Sequence, residues 1–429
     1  MNKLFNVLML ALLLVAAGCS KNISADIEDI FRTVPSTASC VAVADLESII
    51  KKSGSEVKDG KLLVAPGIKA AIGRTNPKAS ALLEEKNGVD PTVAVVFTDG
   101  VTTYLTGLLS NSDDFRAFAE KNAGEKFTDQ QGVNVCGAFA YKDSRFWLVL
   151  GGRSRVDAST ILEYLSLSES QSFLSKTDFV SRLVKDEDDI RGWADISALM
   201  NMSQGSFEQR ALAKVGLQTI FSDAEYIYFD VEFKKGEMEM DAEILNSKGK
   251  AAKYNLPVQK INEDVIGRLQ GNADGLVAVA IPAKLIQQLK KSTEGAPSVL
   301  GIYLMALNCV DGTAAVAIGP DSQLDGIITT NGQSTSDLMS LMKGMVADTK
   351  LDGKYILFGS REAGKGAVSI ARMGEALKGA VAGAVVTKSD VPQIEMTAVK
   401  LEPESGSLHL QIEVKTRNAD NNFLEAIAD

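Results

Sequence analysis

Apolar and polar positions alternate in a pattern that occurs early in the chain and returns late in it. The run Val34-Pro35-Ser36-Thr37-Ala38-Ser39 leads into Cys40 to Ala44 and then Asp45 to Lys52. It reads as a turn, a short apolar strand and an amphipathic helix ending in lysines. Much later, Gly271-Asn272-Ala273-Asp274-Gly275 precedes Leu276 to Ala280 and Lys284 to Lys291, with the same succession. Matching the two by eye sets Cys40 opposite Leu276, an expected core position.

The next block repeats as well. Thr92 to Phe97, Asp99-Gly100 and Leu105 to Leu109 precede a helical pattern from Asp113 to Lys121. Their counterparts are Thr313 to Ile318, Asp321, Leu324 to Ile328 and a helical pattern from Ser336 to Met345. Aspartate-glycine between alternating runs signals a hairpin. Each copy closes on a strand pair, Glu225 to Phe233 with Met238 to Leu245, and Gln393 to Leu401 with Leu408 to Val414. Such internal repetition dictates architecture. The expected fold class is α+β, two related domains, each a mainly antiparallel sheet with helices packed on one face. The first copy carries extra helical material at Pro66 to Lys86 and Ala158 to Val184. The expected boundaries are a signal peptide at 1–18, a polar tether at 19–31, a first domain at 32–246, a linker at 247–261 and a second domain at 262–429.

The amino terminus does not fit this pattern. Met1-Asn2-Lys3 precedes an apolar stretch of about 15 residues, short of the roughly 20 a spanning helix needs. Ala16-Ala17-Gly18 then leads to Cys19. A basic start, an apolar core and small residues before a cut site make an export signal. Small residues directly before a cysteine resemble the lipobox of bacterial lipoproteins, which predicts lipid attachment at Cys19. Ala16 stands where Leu is commonest. Two or three acyl chains, at about 0.8 kcal/mol per buried methylene, anchor a chain stably. The remaining cysteines, Cys40, Cys136 and Cys309, lie in apolar runs and read as buried free thiols, with one disulfide as the alternative. Their spacing excludes a zinc site.

Val34 to Gly54 resembles the opening of lipoproteins in the domain of unknown function 4836 family, found mainly in gut-dwelling Bacteroidota. The matching elements are Pro35, the strand Cys40 to Ala44, Asp45-Leu46 and Lys52-Ser53-Gly54. Cys40 replaces an aliphatic residue. The resemblance implies a class and a compartment, and brings no site residues with it.

Composition narrows the partners. The net charge is −10 and the pI about 5.0, so nucleic acid is a poor partner and no basic patch serves anionic lipid. Candidate chemistry is sparse. The single histidine, His409, alternates with Leu408, Leu410 and Ile412 and reads as a solvent-facing strand residue, which leaves His-based hydrolases without a base. Gly359 to Gly366 approaches a phosphate-binding loop, but Gly366 stands where Ser or Thr must hold magnesium. Asp186-Glu187-Asp188-Asp189 lacks calcium-loop spacing and reads as a solvated loop, with a glycosidase carboxylate pair as its sharper alternative. Trp147 and Trp193 sit in apolar strands and read as core. The Met-bearing helix Leu338 to Met345 reads as one buried face rather than a partner surface.

The expected function is a non-enzymatic envelope lipoprotein, a binding or structural module with no cofactor and no metal. It would meet the membrane through its lipid and an envelope protein or glycan through its surface. A carboxylate-based hydrolase and a periplasmic assembly or chaperone-like factor are the alternatives. Acidic residues are delayed to Asp26, Glu28 and Asp29 after Ser20-Lys21-Asn22, which favours the periplasmic face of the outer membrane over the cell surface.

Overall fold

The computed structural model describes residues 23–58, 61–66, 69, 86–202, 220–292, 306–333, 335–343, 346, 348–359, 366–389 and 391–427. Among them, eighteen strands form one large sheet. In chain order these are β1 (Cys40–Asp45), β2 (Val89–Thr98), β3 (Thr103–Leu109), β4 (Thr128–Gln130), β5 (Val133–Cys136), β6 (Phe139–Lys142), β7 (Arg145–Gly151), β8 (Ile190–Asp195) and β9 (Tyr226–Phe233). There follow β10 (Glu237–Leu245), β11 (Gly275–Ile281), β12 (Val310–Ile318), β13 (Leu324–Thr330), β14 (Lys350–Asp352), β15 (Tyr355–Gly359), β16 (Ala382–Val386), β17 (Ile394–Glu404) and β18 (Ser407–Thr416). The helices are α1 (Ile23–Phe31), α2 (Leu46–Lys52), α3 (Ser112–Ala123), α4 (Ala158–Leu165), α5 (Thr177–Lys185), α6 (Ile196–Met202), α7 (Glu263–Ile266), α8 (Ala283–Ser292), α9 (Ser336–Lys343), α10 (Ile370–Ala376) and α11 (Phe423–Ala426).

The strands lie side by side, all antiparallel, in the order β4-β5-β6-β7-β3-β2-β1-β8-β9-β10-β18-β17-β16-β11-β12-β13-β15-β14. Reading outward from the β10–β18 pair meets the same succession in both directions. First comes the hairpin partner, β9 or β17, and then β8 or β16. Next is the strand that feeds a lysine-ended helix, β1 into α2 or β11 into α8. The chain's two halves therefore share one continuous sheet, joined where Glu237 to Glu243 pairs with Lys415 to His409.

Helices cover both faces of this sheet, not one. Along β2, Val93, Val95 and Phe97 enter a core with α1, α4 and α5, while Ala94 enters another with α2 and α3. Successive strand residues point to opposite faces, so a near-continuous apolar run is buried on both sides. The second half repeats this. Leu276, Ala278 and Val385 pack under α7 and α10, and Ile281 and Ile328 pack with Leu338 and Met342 of α9. Local signals set the element ends. Asp45 caps α2 by accepting from the Ser48 backbone N–H at 2.9 Å, and Gly124 ends α3 at a positive φ of 71°.

Several expectations change. The tether is not a free polar arm, because α1 buries Ile27, Ile30 and Phe31 completely. Their three- and four-residue spacing outweighs the acids between them. The match of Cys40 to Leu276 is one residue out of register. Val41 and Val43 face α5 as Leu276 and Ala278 face α10, which leaves Cys40 on the other face and half-buried. A one-residue slip turns every side chain over. Within 247–261, Ala252 is fully buried against Phe221, Val381 and Leu408, so that segment packs across the two halves. The β17–β18 hairpin is longer than expected, because Pro403 still pairs with Leu408 and the turn is only Ser405-Gly406. Both turn residues have positive φ, at 49° and 87°, as a two-residue hairpin turn requires. Residues 1–22 with Cys19, most of the proposed helical stretch 66–86, and 360–365 of the Gly-rich loop lie outside the described residues.

Candidate functional site

Both helical layers on one face stop short of the sheet's centre. α5 and its neighbours cover β1 and β8, and α7 with α10 cover β16 and β11, leaving a trough floored by β9, β10, β18 and β17. Strand alternation fills that floor with polar side chains. One row runs Glu232, Glu239, Glu413 and Ala398; the next runs Asp230, Asp241, Gln411 and Lys400; a third runs Tyr228, Glu243, His409 and Glu402. Acids therefore stand directly opposite acids at Asp230 and Asp241, Glu232 and Glu239, and Glu239 and Glu413. Like charges in that position destabilise a sheet.

The partial compensation is local. Lys234 pairs with Glu239 and, at 3.1 Å, with Glu232. Lys415 lies 3.0 Å from Glu413 and 3.9 Å from Glu237, and Lys400 lies 2.9 Å from Glu402. On the α5 wall, Arg182 reaches Glu243 at 2.9 Å and stacks 3.8 Å from the centre of the Tyr228 ring. Tyr228 donates its hydroxyl to Asp186. Asp230 has no hydrogen bond or ion pair among the described residues. Burial, followed by the charges of Asp188, Asp241 and Asp186, pushes its carboxyl up to about 7. Burial also raises Asp188 and Glu237, helped by neighbouring acids.

The floor holds a cavity of about 160 Å³ lined by Asp188, Asp230, Glu232, Glu239, Asp241, Lys400, Gln411 and Glu413. Drug-sized pockets span roughly 300 to 1,000 Å³. The space suits one side-chain end or a few waters rather than a sugar chain. Carboxylate oxygens of Glu237, Glu239 and Glu413 lie within 4.8 Å of one another, and Lys234 and Lys415 already neutralise that trio in part.

Two residues singled out in the sequence belong here, in different roles. His409 is on the polar face as its alternation required, but it is not solvent-facing. Its side chain is 15% exposed, with Nδ1 2.9 Å from Asp241 Oδ1 and Nε2 3.8 Å from Glu243. The hydrogen bond to Asp241 raises its pKa against the opposing effect of burial. The acidic run 186–189 is not a solvated loop either. Asp186 and Asp188 form the trough wall, and Asp189 is fully buried as a structural acceptor. Asp230 and Asp241 were missed. The like-charge registers were legible only once the strands were paired.

The other residues lie elsewhere. Trp147 and Trp193 are core, 0% and 1% exposed, and Leu338 and Met342 of α9 are buried. Cys40, Cys136 and Cys309 are free thiols. On the opposite face of the sheet an apolar row crosses both halves through Met240, Ile412, Val399, Ala384 and Val277. Val277 is 47% exposed.

No family model matches the chain, and no curated protein matches it in sequence. Two solved structures align with it, both crystal forms of a protein named TP0453. Crystal form I covers 80% of this chain and 95% of its own length at 10% identity, with a TM-score of 0.30. Crystal form III covers 80% and 96% at 9% identity, with a TM-score of 0.29. A likeness of that degree carries no argument about this chain.

Proposed function

We propose that the chain is a non-enzymatic bacterial envelope lipoprotein that receives basic side chains of a protein partner in its acidic trough. The observation that carries this reading is the uncovered sheet floor between two helical layers, where opposed carboxylates exceed their local cations. Such a surface attracts a cationic partner and sets its register by electrostatic complementarity. A glycan is the poorer occupant. The one aromatic ring of the floor, Tyr228, is 1% exposed and covered by Arg182, so no stacking platform is available.

The rest of the reading comes from the sequence. Lipidation at Cys19, the periplasmic face of the outer membrane and membership of the domain of unknown function 4836 family rest on the lipobox-like run and on Val34 to Gly54. One module used twice is supported by the matching strand succession on either side of β10 and β18.

The test is photo-crosslinking in intact cells from a probe replacing Gln411. A discrete protein adduct, lost when Glu239 and Glu413 are both changed to Lys, is the expected result. No adduct from position 411, with one formed from a probe on the opposite face at Val277, would move the binding surface there. Fatty-acid labelling that persists in Cys19→Ser would sink the anchor.

A carboxylate hydrolase is the second reading, favoured by one observation. Asp230, lifted to about 7, stands opposite Asp241, and raised and ionised carboxyls are how acid and base roles divide. It predicts glycan cleavage that Asp230→Asn abolishes; binding without turnover leaves the first reading in place.

A further inference from the structure

We propose that the acidic seam is a proton-operated joint, in which proton uptake by the opposed carboxylates of β9, β10 and β18 tightens the join between the two halves of the sheet and full ionisation loosens it. The proposal concerns the seam itself and holds whatever the trough binds.

The geometry places repulsion at the join. Glu239 on β10 faces Glu413 on β18 across the seam, and Glu232 and Asp230 on β9 face Glu239 and Asp241. Elsewhere along the seam the facing pairs are Glu237 with Lys415 and Glu243 with His409. One end is thus held by attraction while the middle is strained by like charge.

Asp230 is the centre of that strain, and charges reach it from every side. Asp186 and Asp188 lie on the segment entering β8, and Arg191 is its partner on β8 itself. Arg182 comes from α5, Asp241, Glu239 and Glu243 from β10, Glu413 and His409 from β18, and Lys400 from β17. Tyr228 and Glu232 flank it on its own strand. The nearest cations are already engaged. Arg182 holds Glu243, and Arg191 donates to the carbonyl oxygens of Leu183 and Asp188 at 2.6 and 3.0 Å. Burial and the surrounding acids lift Asp230 to about 7, and Asp188 and Glu237 are raised too.

A carboxyl raised in the folded state binds more protons folded than unfolded. Its contribution is complete below the ordinary value of about 3.9 and is lost as pH rises to about 7. His409 acts in the same direction, because its bond to Asp241 favours the protonated ring. Apolar packing of Phe423 and Leu424 in the first half's core does not titrate, so the halves stay joined while the strand pairing weakens.

Hydrogen exchange of the full chain tests this at pH of about 5.5 and about 8.5, corrected for intrinsic rates. Peptides over 237–245 and 407–416 report the seam, and those over 89–98 report the rest of the sheet. The expected result is about ten-fold greater seam protection at the lower pH, the effect of one full pKa unit, with the reference unchanged. Asp230→Asn is expected to keep the seam protected at both pH values. Equal seam protection at both pH values in the unaltered chain would overturn the proposal. So would an Asp230→Asn variant that retains the whole pH response. Should Asp230→Asn also lose protection in 89–98, Glu413→Gln on the facing strand decides by the same criterion.

Discussion

Asp189 accepts hydrogen bonds from Ser48 Oγ at 2.6 Å, Lys52 Nζ at 2.9 Å and the Phe233 backbone N–H at 2.6 Å, with its side chain fully buried. A carboxylate so enclosed is stable only while all three donors remain. Asp189→Ala is expected to destabilise the fold by about 3 kcal/mol, read from the urea midpoint, because two buried donors lose their acceptor. Asp188→Asn, one residue away, is expected to leave stability unchanged or raise it, since burial already disfavours that charge. Equal losses from the two would show that the run acts by net charge and not by Asp189's bonds. His409 gives a pH prediction of the same kind. Its raised pKa adds stability that is complete below about 6.5 and is lost as pH rises through the folded value. His409→Gln should therefore flatten the fall in melting temperature above neutrality, and an unaltered slope would remove His409 from that role. The sequence placed His409 on the correct face, because alternation needs only its neighbours. Its burial was illegible, since Asp241 is 168 residues away in the chain.

Elements were legible where the signal was local. The Glu225 to Phe233 and Met238 to Leu245 pair is β9 and β10, and the lysine-ended helices after β1 and β11 fall where periodicity put them. The signal failed where it depended on which face a neighbour covers. Helices on both faces were hidden because β1 and β2 bury both sides, and continuous apolar runs carry no alternation to read. Gly192 illustrates a packing rule between elements that no spacing encodes. It sits on β8 opposite Phe229 of β9, and a Cβ there would meet the ring at 2.2 Å. Gly326 of β13 is covered by Phe358 in the same way, at 2.0 Å. Both are glycines whose missing side chain is replaced by a cross-strand ring. Gly192→Ala is expected to destabilise by about 1–3 kcal/mol by lifting that ring. The double variant Gly192→Ala, Phe229→Leu should lose less than the two single losses added. Additive losses in chemical denaturation would show that the ring does not depend on the glycine.

At the scale of the molecule, the question is whether the halves are separate bodies or one. The duplicated succession suggested two sheets, yet β10 and β18 pair in register over seven residues from Glu237 to Glu243. The chain's end reinforces the join. Phe423 of α11 stacks on Phe233 with ring centres 6.0 Å apart, and Leu424 enters the core built by α2 and α3. The second half thus completes the first half's core, while the first half covers the edge of β18. Cutting the chain between Lys248 and Gly249, in the turn after β10, leaves both halves intact and removes only the covalent link. The two fragments, produced together, are expected to purify as a one-to-one complex. Residues 249–429 produced alone should self-associate, because they expose the unpaired edge of β18 beside two apolar side chains that belong in the other half. A monomeric 249–429 fragment that unfolds cooperatively would show the halves to be independent domains, and the seam would then be a contact between them instead of a shared core.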